Sequence, residues 1–287
     1  DFEVDPMGRL AYLTRLEGEA HVILRMDQGR ARPVLRCERL QRCSMLGTRD
    51  QGRILLLNTD AGADLGRLAQ LDPEGRLTTL HGDPRGEADL SQVTRDPVTG
   101  EPLFASYRST VAMDYGLQAE ASRSLGVLRQ RLPDRDLRIE VGRGAGARWL
   151  VHERAASLKG ERLHVYDPRT GELREVLGDL GFRHDRTAVR RLPESAMARK
   201  IAFSWRASDG MRVHGFVLVP PGVDAARAPL VANVHGGPFN LFRPEFSGQS
   251  QMLANRGYVV FEPNFRGSTG HGRRYLFAGN EIGRAHV

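Results

Sequence analysis

The sequence predicts two architectures in series: an all-β domain built like part of a propeller over residues 1–195, then the opening of an α/β domain over residues 196–280. Three observations carry this. Short apolar runs alternate with Gly, Pro and Asp turns through the first two thirds. A hairpin pattern recurs there at a distance that suits radial repetition. After residue 229 the order changes to apolar run, glycine loop, helical spacing and apolar run, which reads as a βαβ unit.

Composition sets the outer limits. The 287 residues allow one large domain or two ordinary ones, and 40% hydrophobic with 27% charged residues suits a globular chain with a real core. The net charge is +7, but only Lys159 and Lys200 among the 42 basic residues are lysine, which leaves 40 arginines. These are scattered among 35 acids and form no basic run, so nucleic acid is not an expected partner. No apolar stretch reaches the ~20 residues of a membrane span, so no membrane partner is expected either. Cys37 and Cys43 lack further ligands at zinc-like spacing. They are read as two buried thiols, with pairing across a hairpin as the alternative. The compartment stays open, with cytoplasmic slightly favoured over periplasmic or secreted.

In the first 195 residues, strands are expected at Leu10–Leu13, Ile54–Leu57, Leu103–Tyr107 and Trp149–Val151. Turns begin at Asp5-Pro6, Asp72-Pro73, Asp96-Pro97 and Asp167-Pro168, each with a glycine at or near its end. Arg67–Asp83 and Arg162–Asp179 share the order strand, Asp-Pro turn, strand, Gly-Asp, and start 95 residues apart (162 less 67). That is about twice the ~40–50-residue period of a propeller blade; an all-β domain of another kind is the alternative. Leu117–Leu132 has apolar or small residues at helical spacing and is expected to be a structural helix inserted between strands. At ~40–45 residues per blade, roughly four to five blades fit, so the N-terminus reads as truncated.

Residues 181–200 are polar and arginine-rich, which suits a linker. Ile201–Trp205 and Val213–Val219 then flank Ser208-Asp209-Gly210 and predict an antiparallel hairpin. His214 alternates along its second strand and is read as a packed or edge histidine.

Leu230–Val234 reads as a buried strand that stops at His235-Gly236-Gly237-Pro238. A helix is expected over Glu245–Arg256 with Phe246, Met252 and Leu253 on its apolar face and Gly257 ending it. Tyr258–Phe261 is the second strand, ended by Pro263. Glycines past a strand's carboxyl end let backbone N–H groups approach a ligand. In α/β-hydrolases this loop supplies an oxyanion-hole donor, often in an HGGG-type sequence. Gly236 and Gly237 are the candidate catalytic donors, with His235 adjacent; a tight turn without chemistry is the alternative. For His235 the readings are a loop anchor, a group near the oxyanion hole, or an acid–base catalyst.

HGGP followed by LANRGYVVFEPNFRGSTGHG resembles the prolyl oligopeptidase family of serine peptidases, especially its acylaminoacyl-peptidase and dipeptidyl-aminopeptidase-like members. The resemblance is dense over residues 201–280. It implies a partial all-β propeller (1–195) followed by the N-terminal part of an α/β-hydrolase domain (196–280). It also implies an acyl-enzyme mechanism on short peptide substrates, no cofactor or metal, and a propeller that restricts access to the site. A homo-oligomer is left open.

The triad Ser, Asp and His is not expected in this chain. A nucleophile elbow needs G-x-S-x-G, and Ser268 comes nearest but has Arg266 where the first glycine belongs. Ser268 and His271 are read as loop residues at the site's rim. Residues 281–287 (EIGRAHV) read as a non-native tail of the kind a sequencing adapter encodes, which sets His286 aside. The expectation is thus an inactive piece of a serine peptidase. An esterase or other acyl hydrolase on the same fold, or a non-catalytic propeller binding protein, are the alternatives.

Overall fold

The computed structural model describes residues 1–144, 146–178, 192–237 and 239–280. Most of the linker stretch, Asp179 of the second hairpin copy, Pro238 of the glycine loop and the 281–287 tail lie outside the described residues.

Four blade-like antiparallel sheets come first, each a meander in chain order. Sheet one holds β1 (Phe2–Val4), β2 (Leu10–Glu17), β3 (Ala20–Asp27) and β4 (Arg30–Cys37). Sheet two holds β5 (Cys43–Arg49), β6 (Ile54–Thr59), β7 (Arg67–Leu71) and β8 (Leu77–His81). Sheet three has β9 (Leu90–Arg95), β10 (Pro102–Tyr107) and β11 (Met113–Gly116), followed by α1 (Ala119–Arg131). Sheet four has β12 (Asp136–Val141), β13 (Trp149–Arg154), β14 (Arg162–Asp167) and β15 (Glu172–Leu177). The two matching hairpins are β7–β8 and β14–β15, the closing pairs of sheets two and four. Their spacing is therefore two sheets, as the repeat predicts.

The Asp-Pro turns share one device. Asp5, Asp72, Asp96 and Asp167 each accept a main-chain N–H of the closing glycine on their carbonyl, at 2.8–3.1 Å. Each carboxylate accepts at least one further backbone N–H inside the turn. The glycines Gly8, Gly75, Gly100 and Gly171 all have φ between +72° and +88°, where a side chain is strained. The Thr99 N–H, first among these donors, holds the Asp96 carboxyl below the usual carboxylate range.

Side-chain alternation explains the unbroken apolar run of β6. Leu55 and Leu57 pack with Tyr12 and Ile23 of sheet one, while Leu56 packs with Leu90, Ala105 and Tyr107 of sheet three. A strand covered on both faces has no polar side to show. Helix α1 likewise packs Ala121, Leu125 and Leu128 against Phe104, Trp149 and Tyr166, the structural role its spacing predicts.

The cysteines correct one expectation. Cys37 and Cys43 form a disulfide, rather than standing as free thiols. They end β4 and begin β5, so the bond staples sheet one to sheet two across a five-residue loop. The pairing alternative holds, but between two sheets and not across a hairpin.

After a 3₁₀ turn at Glu194–Ala196, the last sheet has the order β16 (Arg199–Arg206), β17 (Arg212–Val219), β19 (Val259–Asn264), β18 (Leu230–Ala232). β16 and β17 form the expected hairpin around Gly210 (φ +84°). β18 and β19 are parallel and flank α2 (Gly248–Ala254), and α3 (Arg273–Phe277) follows. Three details differ from the sequence reading. β18 is three residues long and exposed, with Leu230 64% accessible, because it is the sheet's edge and no described element covers it. α2 is shorter than expected and buries Ser250, Gln251 and Ala254, leaving Met252 exposed. Its inner face is polar because Ser250 and Gln251 make specific bonds, given below. Finally, β19 runs through Pro263, which pairs with Gly215 of β17. Phe261 O accepts from Asn233 N on the β18 side, so the Pro263 nitrogen two residues on faces the same way, past the end of β18. No hydrogen bond is lost there.

Candidate functional site

The glycine loop leaves β18 through Asn233, whose N–H donates to Phe261 O at 2.8 Å. His235 then governs its path. Its Nδ1 lies 3.0 Å from Gly236 O and its Nε2 3.0 Å from Ser268 Oγ. A carbonyl can only accept, so Nδ1 carries the proton and, in the neutral ring, Nε2 accepts from the Ser268 hydroxyl. The ring stacks on Phe265 at 4.5 Å and meets Phe242 edge-on at 5.2 Å.

This fixes a peptide plane. Across a trans peptide, C=O and the next N–H point in opposite directions. With Gly236 O held toward His235, the Gly237 N–H points away from it. Gly237 has φ +147°, and a Cβ there would lie 2.8 Å from Phe239 N. A Cβ on Gly236 would have nothing within 4 Å. Gly237 is the glycine the conformation demands. Both are exposed to solvent.

The second motif supports the first. Asn264 is fully buried and grips the backbone of Phe242, accepting from its N–H at 2.7 Å and donating to its carbonyl at 2.9 Å. Thr269 N donates to Asn240 O at 3.1 Å. Ser268 is fully buried beneath the loop and bonds His235. It is therefore a prop under the loop, not a rim residue, and not an exposed nucleophile. The physical reason that HGGP and NFRGSTGHG occur together is that one holds the other.

The same motif also reaches the blade-like sheets. Gly270 O accepts from Asp89 N at 2.8 Å and from the Ser109 hydroxyl. Asp64 accepts from Arg274 N at 2.7 Å and pairs with its guanidinium at 3.0 Å. His271 Nδ1 donates to Glu87 O at 3.2 Å, and its ring stacks on His214 at 4.4 Å with 3° between planes. Burial, with the neighbouring His214 adding to it, pushes His271 down to about 3, so it is neutral near pH 7. Burial also lowers His214, the packed histidine the strand pattern predicts. Beside this seam lies a cavity of ≈ 820 Å³ lined by Asp64, Arg67, Glu87, Arg212, His271 and Arg274 among others.

One cluster was missed by the sequence reading. Lys200 Nζ lies 2.6 Å from Glu262 Oε2, with side chains 2% and 0% exposed. The other Glu262 oxygen accepts from Ser250 Oγ, and Ser250 Oγ accepts from Asn233 Nδ2 at 2.9 Å. Gln251 bonds both the N–H and C=O of Ala198 and reaches Ala156 O in the loop between β13 and β14. No group of metal-ligating side chains occurs among the described residues.

Residues 244–283 match the prolyl oligopeptidase family of peptidases. The later part of the hydrolase segment is thus similar to the prolyl oligopeptidase family. The chain is 27% identical to dipeptidyl aminopeptidase BIII of Pseudoxanthomonas mexicana, an alignment covering 80% of this chain and 32% of that protein. It is 33% identical to dipeptidyl peptidase family member 6 of Caenorhabditis elegans over 32% of this chain and 16% of that one. Among solved structures, a Mycobacterium tuberculosis puromycin-hydrolyzing peptidase superposes with a TM-score of 0.64 at 16% identity, covering 95% of this chain and 42% of that one. The chain thus spans about a third of the first curated relative and about two fifths of that solved chain. The fold is a partial β-propeller followed by the N-terminal part of an α/β-hydrolase domain, as the sequence predicts.

Proposed function

We propose that these residues carry the propeller and the oxyanion loop of a serine peptidase that cleaves short peptides through an acyl-enzyme. The observation that carries this reading is the glycine pair at the carboxyl end of β18, with Gly236 O tied back to His235 and Gly237 N–H left to face outward. Charge develops on the scissile carbonyl oxygen only as a serine attacks it, so a fixed N–H placed there lowers the barrier by roughly 3–4 kcal/mol. Gly237 is the first candidate donor, with Gly236 beside it, and the second donor would follow the nucleophile in sequence. His235 acts on the loop, not on protons of the substrate. The family match over residues 244–283 and the similarity to a dipeptidyl aminopeptidase support the peptide substrate class. The propeller would limit access to short or unstructured peptides, and the chemistry asks for no cofactor or metal.

No serine in the 287 residues sits in G-x-S-x-G. Residues 1–287 alone are accordingly expected to give no serine-inhibitor-sensitive turnover. The complete reading frame of the source gene is expected to carry G-x-S-x-G and to cleave aminoacyl-anilides at least tenfold faster than acyl esters. Preference for the ester would replace the peptidase with an acyl hydrolase. A complete frame without that serine would remove the enzyme and leave a binding propeller.

A further inference from the structure

We propose that Lys200 is the positioning residue for the glycine loop, holding its first end through Glu262 and its last end through the Phe242 ring. This rests on the oxyanion reading for what the loop does, though not for how the loop is held.

Two chains of contact meet at one ammonium group. Toward the loop's start, Lys200 Nζ pairs with Glu262, Glu262 binds Ser250 Oγ, and Ser250 Oγ binds the Asn233 amide, two residues before His235. Toward its end, the same Nζ lies 5.9 Å from the centre of the Phe242 ring and 4.6 Å from that of Phe216. Phe242 is the residue whose edge meets His235 and whose backbone Asn264 grips. Nζ also donates to Glu245 O at 3.3 Å, where the chain turns toward α2. The loop 233–242 therefore hangs between two points that share a single cation.

The residue type fits this role. In a chain with 40 arginines, this buried position has one of the two lysines, and the other, Lys159, is exposed. A guanidinium is a broad planar fork, whereas an ammonium is a compact point charge with three donors in different directions. Only the compact group fits between a carboxylate 2.6 Å away and a ring face on another side. Nor is stability a sufficient reason for the pair. Buried ion pairs exchanged for hydrocarbon of similar volume are often as stable or more so. What such an exchange removes here is directional: the acceptor that orients Ser250, and the charge that seats Phe242.

Amide hydrogen exchange in the full 287-residue chain tests this, with Lys200→Met/Glu262→Leu as the main variant. The expected result is exchange at least tenfold faster at the Asn233 and Phe242 amides, with β17 amides and the denaturation midpoint unchanged. Lys200→Arg, which keeps the charge, is expected to loosen the same two amides. Should the double variant not fold, Ser250→Ala cuts only the first chain, and Asn233 alone should speed up. Wild-type exchange at both amides, or a uniform rise across the sheet with Ser250→Ala silent, overturns the proposal. The oxyanion reading fails separately: in an enzyme that includes the nucleophile, a loosened loop with undiminished kcat would refute that reading and leave the positioning role standing.

Discussion

The second propeller sheet and the hydrolase sheet each contain a strand of nearly bare hydrocarbon, and only one of the two is buried. In β6, Leu55, Leu56 and Leu57 are fully buried because neighbouring sheets cover both faces. In β18, Leu230 is 64% exposed at the sheet's edge. The propeller is held by repeated apolar contact between sheets. The hydrolase segment has a smaller apolar cluster, Ala198, Leu218, Ala254 and Val260, and relies more on single polar pins, of which Asn264, Ser268 and the Lys200–Glu262 pair are examples. Removing one methylene cluster should therefore injure the first region, and removing one hydrogen bond should misplace the second.

The largest expected effect sharpens that contrast. Leu56→Ala should cost about 2–5 kcal/mol, whereas Leu230→Ala should stay within about 0.5 kcal/mol. The two tryptophans make this readable by region, since Trp149 lies in the propeller core and Trp205 on β16. Fluorescence-detected urea unfolding of single-tryptophan variants gives each transition separately. A cost for Leu230→Ala as large as that for Leu56→Ala would mean that the β18 edge is covered in solution, and the comparison would collapse.

Next in size is the seam between the regions. The folded pKa of His271 lies near 3 against an ordinary 6.5, so the unfolded chain binds the extra proton first as pH falls. Its contribution is thus fully present above about pH 6.5 and is lost progressively below it, at about 1.4 kcal/mol per pH unit. His214 is shifted the same way, and the nearby charges Glu87, Arg85 and Arg212 partly offset one another. His271→Phe keeps a ring against His214 and removes the titration. The stability difference between wild type and this variant should move by about 2 kcal/mol, in the variant's favour, between pH 6.5 and 4.5. A flat difference would mean that water reaches His271 and that the seam between the two regions is open in solution.

The contrast also explains what was legible in the sequence. Asp-Pro turns and glycines with positive φ declare themselves locally, and hairpins follow from them. The sequence also showed the α1 spacing and the two-sheet offset of β7–β8 and β14–β15. Whether an apolar run is central or at an edge depends on what lies beside it, so Leu230 read like Leu56. Cys37 and Cys43 pair between sheets, and nothing in a short loop distinguishes that from two thiols. Lys200 and Glu262 lie far apart in the chain and follow no period. The scarcity of lysine was the one signal that could have marked them.

The smallest effect concerns two adjacent glycines that look interchangeable in HGGP. Gly236→Ala places a methyl group in open space, without a positive φ, and should change stability by less than about 0.5 kcal/mol. Gly237→Ala at φ +147° puts its Cβ 2.8 Å from Phe239 N, so keeping the conformation carries both the φ penalty and the contact, and about 1–3 kcal/mol of strain is expected. The strain has two outlets: unfolding, or rotation of the 236–237 peptide against the His235 bond. Urea midpoints read the first, and the exchange rate of the Phe242 amide reads the second, because the loop cannot turn without pulling on Asn264. If Gly237 tolerates alanine while Gly236 does not, the peptide plane is inverted. The outward N–H would then belong to Gly236, and His235 would be holding the loop by something other than its carbonyl.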